Sequence, residues 1–158
     1  MPGLAGWAER ATAAGIDLGL AGGLMTAYLA ALAVAQPAFA AVQLLALLAD
    51  VDIRGALSQG YWLVGGGWLV VQWAGRGRSG ESLGQRLVGV VTVDEETGAP
   101  VGPARSILRG VLHVLDVLPA GAGFVRPVVH PRRQTWADSI SRTVVVRRDL
   151  IEAIAQPR

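Results

Sequence analysis

The chain has 158 residues, the size of one domain, with 52% apolar and only 16% charged residues. A water-soluble domain carries about a quarter charged residues, so this composition leaves too little polar surface to cover a globule and points to lipid. The net charge of +2 is too small to argue for nucleic acid, and the lack of cysteine excludes disulfides, thiol chemistry and Cys-ligated metal.

In chain order, residues 1–12 read as a short amphipathic lead-in. Leu4, Trp7 and Ala11 lie on one side and Glu9 and Arg10 beside them, with Trp7 placed as an interfacial anchor or as an ordinary exposed helix start. No basic stretch precedes a short apolar core there, so the first apolar run is expected to remain as an uncleaved span. That span covers about 14–36 and is expected to end at Pro37. About 20 helical residues cross a hydrocarbon layer of ~30 Å. Gly15, Gly19 and Gly23 follow one another at intervals of four, a spacing that permits close helix contact.

Residues 37–49 are apolar but short, and Asp50, Asp52 and Arg54 follow at once. This stretch reads as the far end of a helical hairpin, as an interfacial helix, or as a continuation toward the next span. A second span is expected at about 57–75. Tyr61, Trp62 and Trp73 lie toward its ends, and Gly65, Gly66 and Gly67 suggest close packing against the first span. Arg76, Arg78 and Arg86 then open a loop over 76–106. The positive-inside rule puts that loop, and with it the N-terminus, in the cytoplasm.

Two Val-rich runs, Leu87 to Val93 and Arg142 to Arg148, are expected to pair as a small cytoplasmic sheet, with a turn over Asp94 to Gly98. The segment 107–129 is apolar but holds Arg109, His113, Asp116 and Arg126, and Pro119, Gly121 and Gly123 break it. A single crossing would export an arginine-rich tail, 130–158, against the positive-inside bias. A broken pair of helices that re-enters or lies along the interface is therefore preferred, with a third full span as the alternative. The fold expected is thus an all-α membrane protein with two to three transmembrane helices and a small cytoplasmic β-strand pair.

The spacing Arg10-Ala-Thr-Ala-Ala-Gly-Ile-Asp17 at the first span resembles the opening signature of the RDD family of prokaryotic integral membrane proteins. So do Ser82-Leu-Gly84-Gln-Arg86-Leu-Val-Gly89, the pair Leu108-Arg109, and Asp138 ahead of Thr143-Val144-Val145-Val146. The resemblance covers about residues 7 to 147. The segment 107–129 is shorter and more polar than the third apolar region usual in that family. The resemblance implies a multi-pass protein of a bacterial plasma membrane. Some members are linked to ion or solute transport, a few to cation/proton exchange.

Within this frame Arg10, Asp17, Arg109 and Asp138 form the candidate polar cluster. Arg10 and Asp17 are seven apart and share a helical face, but their axial separation of about 10 Å keeps them from direct contact. Arg10 is expected to snorkel to the headgroups. Arg109 is the expected partner of Asp17, with Arg86 second. The pairing would serve either as a lock on helix register or as a proton- or cation-binding carboxylate. Asp138 reads as a helix cap beside an arginine, or as a member of one cluster with Asp17 and Arg109. His113 and Asp116 are three apart on one helical face, which fits a local hydrogen bond and, less well, a proton relay or metal pair.

No nucleophile elbow, zinc-binding helix or phosphate loop is present in the sequence, so neither an enzyme nor a cofactor is expected. The function expected is an accessory or assembly subunit that associates with itself or with a larger membrane complex. An oligomeric ion or solute transporter with Asp17 as its coupling carboxylate is the alternative.

Overall fold

The computed structural model describes residues 3–49 and 52–155. It is mostly helical, with a small two-stranded antiparallel sheet. In order, the elements are α1 Trp7–Leu48, α2 Ile53–Ser79, α3 Leu83–Val88, β1 Val90–Asp94, α4 Pro103–Val117, α5 Ala122–Val129, α6 Trp136–Ile140, β2 Thr143–Arg147 and α7 Arg148–Ala155. They fall into two compact units. One comprises Leu18–Leu69, and the other joins Met1–Asp17 to Val70–Arg158.

The unit Leu18–Leu69 is built from parts of α1 and α2. The Tyr28 hydroxyl donates to the Leu57 carbonyl at 2.9 Å. Gly60 and Gly65 let the Tyr28 hydroxyl and the Met25 thioether lie against the helix; a Cβ at either position would make those side chains shift. Close packing of the triple glycine is thus confined to Gly65; Gly66 and Gly67 have open space where a side chain would stand.

The helix does not stop at Pro37 but runs on to Leu48. A proline removes a single helical hydrogen bond, and the good helix formers Ala and Leu around it carry the chain through. The stretch 37–48 is therefore a continuation of α1, while the expected acids at Asp50 and the turn beside it lie outside the described residues.

The other unit has a core of small residues: Ala5, Ala13, Val90 and Val145 are buried together, with Val88 against them. The sheet pairs Val90 with Arg147 through Asp94 with Thr143. The N-terminal segment adds a bridge from Leu4 to Val146, and the Ala5 amide donates to the Val145 carbonyl at 2.9 Å. The first Val-rich run is only partly strand. Leu83–Val88 forms α3, started by a reciprocal Ser82/Gln85 cap and ended by Gly89 in the left-handed region at φ 79°. The strand begins at Val90.

Within the same unit α4 and α5 make an elbow bent by 99°. Both helices are amphipathic. Ser106, Arg109, Gly110 and Asp116 of α4, and Gly123 and Pro127 of α5, face inward. Leu108, Val111, Val114, Leu118, Val125 and Val129 are exposed.

Among the described residues one helical stretch, Trp7–Gln36, is long and apolar enough to cross a membrane, and the bent α4–α5 pair qualifies only if counted as one broken span or re-entrant loop. Only 6% of the apolar window in Trp7–Gln36 is buried, which is unlike a core helix of a soluble globule. The expected second span at 57–75 lies inside the 27-residue α2. Gln59, Gln72 and the glycines at 60, 65, 66 and 67 dilute its apolar content, so it falls short of that test.

Candidate functional site

The signature residues occupy two carboxylate centres, one around Asp138 and one around Asp17, both within the unit that joins Met1–Asp17 to Val70–Arg158. Each centre is set by a helix cap.

Asp138 stands at the third position of α6. Its amide donates to the Thr135 hydroxyl at 3.1 Å, and its carboxylate accepts from the Thr135 amide at 3.2 Å, closing a reciprocal cap. The same carboxylate, wholly buried, also accepts two guanidinium groups. Arg109 donates from Nε at 2.7 Å and lies within 2.5 Å through Nη2, and Arg10 donates from Nη2 to the other oxygen. Burial by itself would disfavour the charged carboxylate. Arg109 and then Arg10 outweigh it and hold the Asp138 carboxyl well below the usual range.

Arg10 does not reach outward as expected. It turns inward to Asp138 and to the Arg133 carbonyl, because a carboxylate stripped of water binds a guanidinium more strongly than the interface does. Asp138 is thus a cap and meets Arg109 as expected, but Arg10 takes the place expected of Asp17, and the single cluster of Arg10, Asp17, Arg109 and Asp138 is split into two centres.

Asp17 has a different set of partners. Its oxygens accept from the Ser82 hydroxyl at 2.5 Å, the Gly84 amide at 2.8 Å and the Gln72 side chain at 3.3 Å. Arg76 stands 3.7 Å away. Neither expected partner is there: Arg109 is committed to Asp138, and Arg86 faces outward beside Glu81 at 3.5 Å. The reason is the cap of α3, which points backbone and hydroxyl donors at Asp17 at short range. Gly84 allows this approach, since a Cβ would overlap the Ala13 carbonyl. The sequence contained the signal in Ser82-x-x-Gln85, a capping box; Gln72 left no comparable trace, and Arg76 stood out only as a topology marker.

His113 Nδ1 and Asp116 Oδ2 are 2.7 Å apart, and the other Asp116 oxygen accepts from the Trp136 amide at 2.9 Å. Gly123 packs directly on Asp116, and the Phe124 ring stacks on His113 with centroids 5.6 Å apart. The dyad thus pins the α4–α5 elbow to the start of α6. No group of three potential metal ligands occurs among the described residues. Trp7 donates its indole N–H to the Phe124 carbonyl at 2.7 Å while about half of it stays exposed.

Chemically, the Asp138 carboxylate takes four donors, two on each oxygen, and Asp17 takes three, two on Oδ1 and one on Oδ2. Such centres fix which helices and loops meet.

Part of the chain is similar to a "Proline-rich antigen" of Mycobacterium leprae, 34% identical over 84 residues that cover 52% of this chain and 34% of that protein. It is also similar to a "Proline-rich antigen homolog" of Mycobacterium tuberculosis, 37% identical over 94 residues that cover 58% of this chain and 39% of that protein. The match spans little more than a third of these curated relatives' length. No solved structure matches significantly. The profile of the RDD family, a membrane-associated family, matches residues 4–142, in agreement with the Arg10, Asp17 and Asp138 spacing. The chain belongs to the RDD family.

Proposed function

We propose that this chain is a non-catalytic accessory or assembly subunit of a bacterial plasma membrane, acting through helix–helix contacts with a second copy or with a larger membrane complex. The observation that carries the reading is the open glycine ridge on α1. Gly19, Gly22 and Gly23 have no atom within 4 Å of where a Cβ would stand. Leu18, Leu20, Leu24 and Leu29 around them are exposed. A ridge of this kind lets another helix approach backbone to backbone. The three donors Ser82, Gly84 and Gln72 on Asp17 support the same reading, because they use its carboxylate to join the α3 cap to α1 and α2.

In this reading Arg76, Arg78 and the tail lie in the cytoplasm with both termini, as the positive-inside bias favours. The chain has no native cysteine, so single-cysteine variants report orientation cleanly. Thr97→Cys should be shielded from a membrane-impermeant maleimide in intact cells, and Ser58→Cys should be labelled.

Mass measurement in mild detergent tests the role. A defined oligomer or a stoichiometric membrane partner is expected, and Gly19→Leu or Gly23→Leu should dissociate it. A wild-type monomer with no partner overturns the proposal. Proton or cation flux in liposomes that Asp17→Asn abolishes would replace it with the transporter reading.

A further inference from the structure

The end of α5 and the start of α6 flank a hollow of about 370 Å³ that opens to the surface, lined by Glu95, Arg126, His130, Arg132, Gln134 and Ser139. Its size falls in the range of about 300–1,000 Å³ in which small ligands are held. All of these residues belong to the unit that joins Met1–Asp17 to Val70–Arg158. Two walls are fixed from within. Glu95 is occupied on both oxygens: Arg132 pairs with Oε1, and the Gln134 side-chain amide donates to Oε2 at 2.9 Å. The same amide donates to the Thr143 carbonyl at 3.0 Å, which ties the wall to β2.

Arg126 differs from its neighbours in having no acid. Among the described residues it forms no ion pair, and its hydrogen bonds all leave from one nitrogen. Nη1 donates to the Gln134 carbonyl at 3.1 Å, the Thr135 carbonyl at 2.8 Å and the Ser139 hydroxyl at 2.6 Å. These acceptors hold the guanidinium in one orientation. Nε and Nη2, with three N–H groups between them, are left without a partner among the described residues. That edge of a guanidinium is the planar fork that suits two oxygens of a phosphate. His130, four residues on, lines the same hollow, and Arg126 is near enough for its charge to oppose that of a protonated His130. Arg132 offsets Glu95, so the hollow keeps the charge of Arg126 in excess.

Beside this charge the surface is apolar. Val125 and Val129 each precede a lining residue of α5 by one position, so their strip runs next to that of Arg126 and His130. Val125, Val128 and Val129 are all more than half exposed. Near the start of α5, Trp7 donates its indole N–H to the Phe124 carbonyl and stays about half exposed, as an aromatic side chain does at headgroup level. We infer that the hollow is a phospholipid site. Arg126 holds the phosphate of a compact anionic headgroup, His130 and Arg132 flank it, and the acyl chains lie along Val125, Val128 and Val129. The cytoplasmic leaflet supplies such headgroups. A soluble phosphate ester would meet the same charge but leave the valines uncovered. The bound lipid offsets the repulsion between Arg126 and His130 and sets the depth of the α4–α5 elbow. The site rests on the membrane location proposed above and not on a partner, so a monomer shows it as well as an oligomer.

Thermal unfolding of the full-length protein in a neutral detergent tests this, with added dioctanoyl phosphatidylglycerol, dioctanoyl phosphatidylcholine or glycerol 3-phosphate. The site predicts a saturable rise in Tm with phosphatidylglycerol, roughly 5–10 °C at a hundredfold excess over Kd. Phosphatidylcholine and glycerol 3-phosphate should each need at least about ten times the concentration for the same rise. Arg126→Gln should weaken the phosphatidylglycerol response at least about tenfold. If that variant fails to fold, Val129→Glu decides: it sets a carboxylate beside the hollow, leaves the contacts of Arg126 intact, and should cancel the preference for phosphatidylglycerol. Equal responses to the two lipids would overturn the proposal. A response to glycerol 3-phosphate as strong as that to phosphatidylglycerol would make this a site for soluble phosphate and would overturn it too. Arg142→Gln changes an exposed arginine outside the hollow and should leave the response within about twofold. A loss there as large as in the hollow variants would show diffuse attraction of charge and no site.

Discussion

The two compact units use polar and apolar residues in opposite ways. In Leu18–Leu69 the apolar side chains face outward. Leu18, Leu24, Leu29, Val34 and Leu63 are exposed, and among the described residues the polar contacts are few and local apart from Tyr28 to the Leu57 carbonyl. The other unit buries its polar residues: Asp17, Arg76, Arg109, Asp116 and Asp138 lie inside, beside a small apolar cluster of Ala5, Ala13, Val90 and Val145. The first pattern is stable only in a medium as apolar as its own surface. The second draws little from hydrophobic burial, and its charge pairs decide which segments may meet. One unit is defined by its surroundings and the other by its internal pairing, so they should fail under different substitutions.

The largest effect is expected where two guanidiniums share one acid. Asp138→Asn leaves Arg10 and Arg109 buried without their counter-charge and should cost about 3–5 kcal/mol, read as lost folded protein or a lowered Tm in detergent. A drop below about 1 kcal/mol would show that water reaches the pair. The pH dependence follows the same pairing. The folded carboxyl titrates below its unfolded value, so its contribution is complete above the ordinary aspartate range near pH 4. It is lost as pH falls through the lower, folded value.

A charge in the other unit probes its medium. Leu24→Arg, in the middle of the apolar stretch of α1, should reduce membrane insertion by about 2.5–3.5 kcal/mol in a translocon assay. Glu96→Gln, on an exposed turn, should stay within about 0.5 kcal/mol of wild type. If both leave insertion unchanged, the contrast between the units disappears. Gly84→Ala comes next: its methyl meets the Ala13 carbonyl and pushes the α3 cap away from Asp17. A loss of about 1–3 kcal/mol is expected, whereas Gly66→Ala, with open space around it, should be neutral or stabilising.

What could be read in the sequence was whatever depends on neighbours along the chain. The Val-rich runs, the Asp94 to Gly98 turn, the break near Pro119 and the three-residue spacing of His113 and Asp116 are all local patterns. The pairing of charges across about 30 to 130 positions was not legible. Arg109 and Arg76 are chemically alike, and only the caps at Ser82 and Thr135 decide which carboxylate each one meets. Those caps were written in short motifs whose consequence, a ring of donors around a distant aspartate, exists only once the helices pack. The end of α1 was misjudged for a related reason. Pro37 is a strong local signal, but the apolar helix formers on both sides of it outweigh one missing hydrogen bond.

The smallest effect expected belongs to the turn at Asp94, where the polar unit meets water. Its Oδ1 accepts from the Thr97 amide at 2.8 Å and the Glu96 amide at 3.0 Å, and Arg105 stands 2.5 Å from Oδ2. These backbone donors, then Arg105, pull the carboxyl down to about 2. A depressed folded value contributes stability that is present above pH ~4 and disappears as pH falls through about 2. A carboxyl 13C titration should place Asp94 below the usual aspartate range. In Asp94→Asn the small change in Tm over that pH window should vanish while the rest of the acid transition, which belongs to Asp138, remains. If instead Asp94→Asn removes the whole transition, the buried pair is not what acid breaks, and the unit is held from its rim rather than from within.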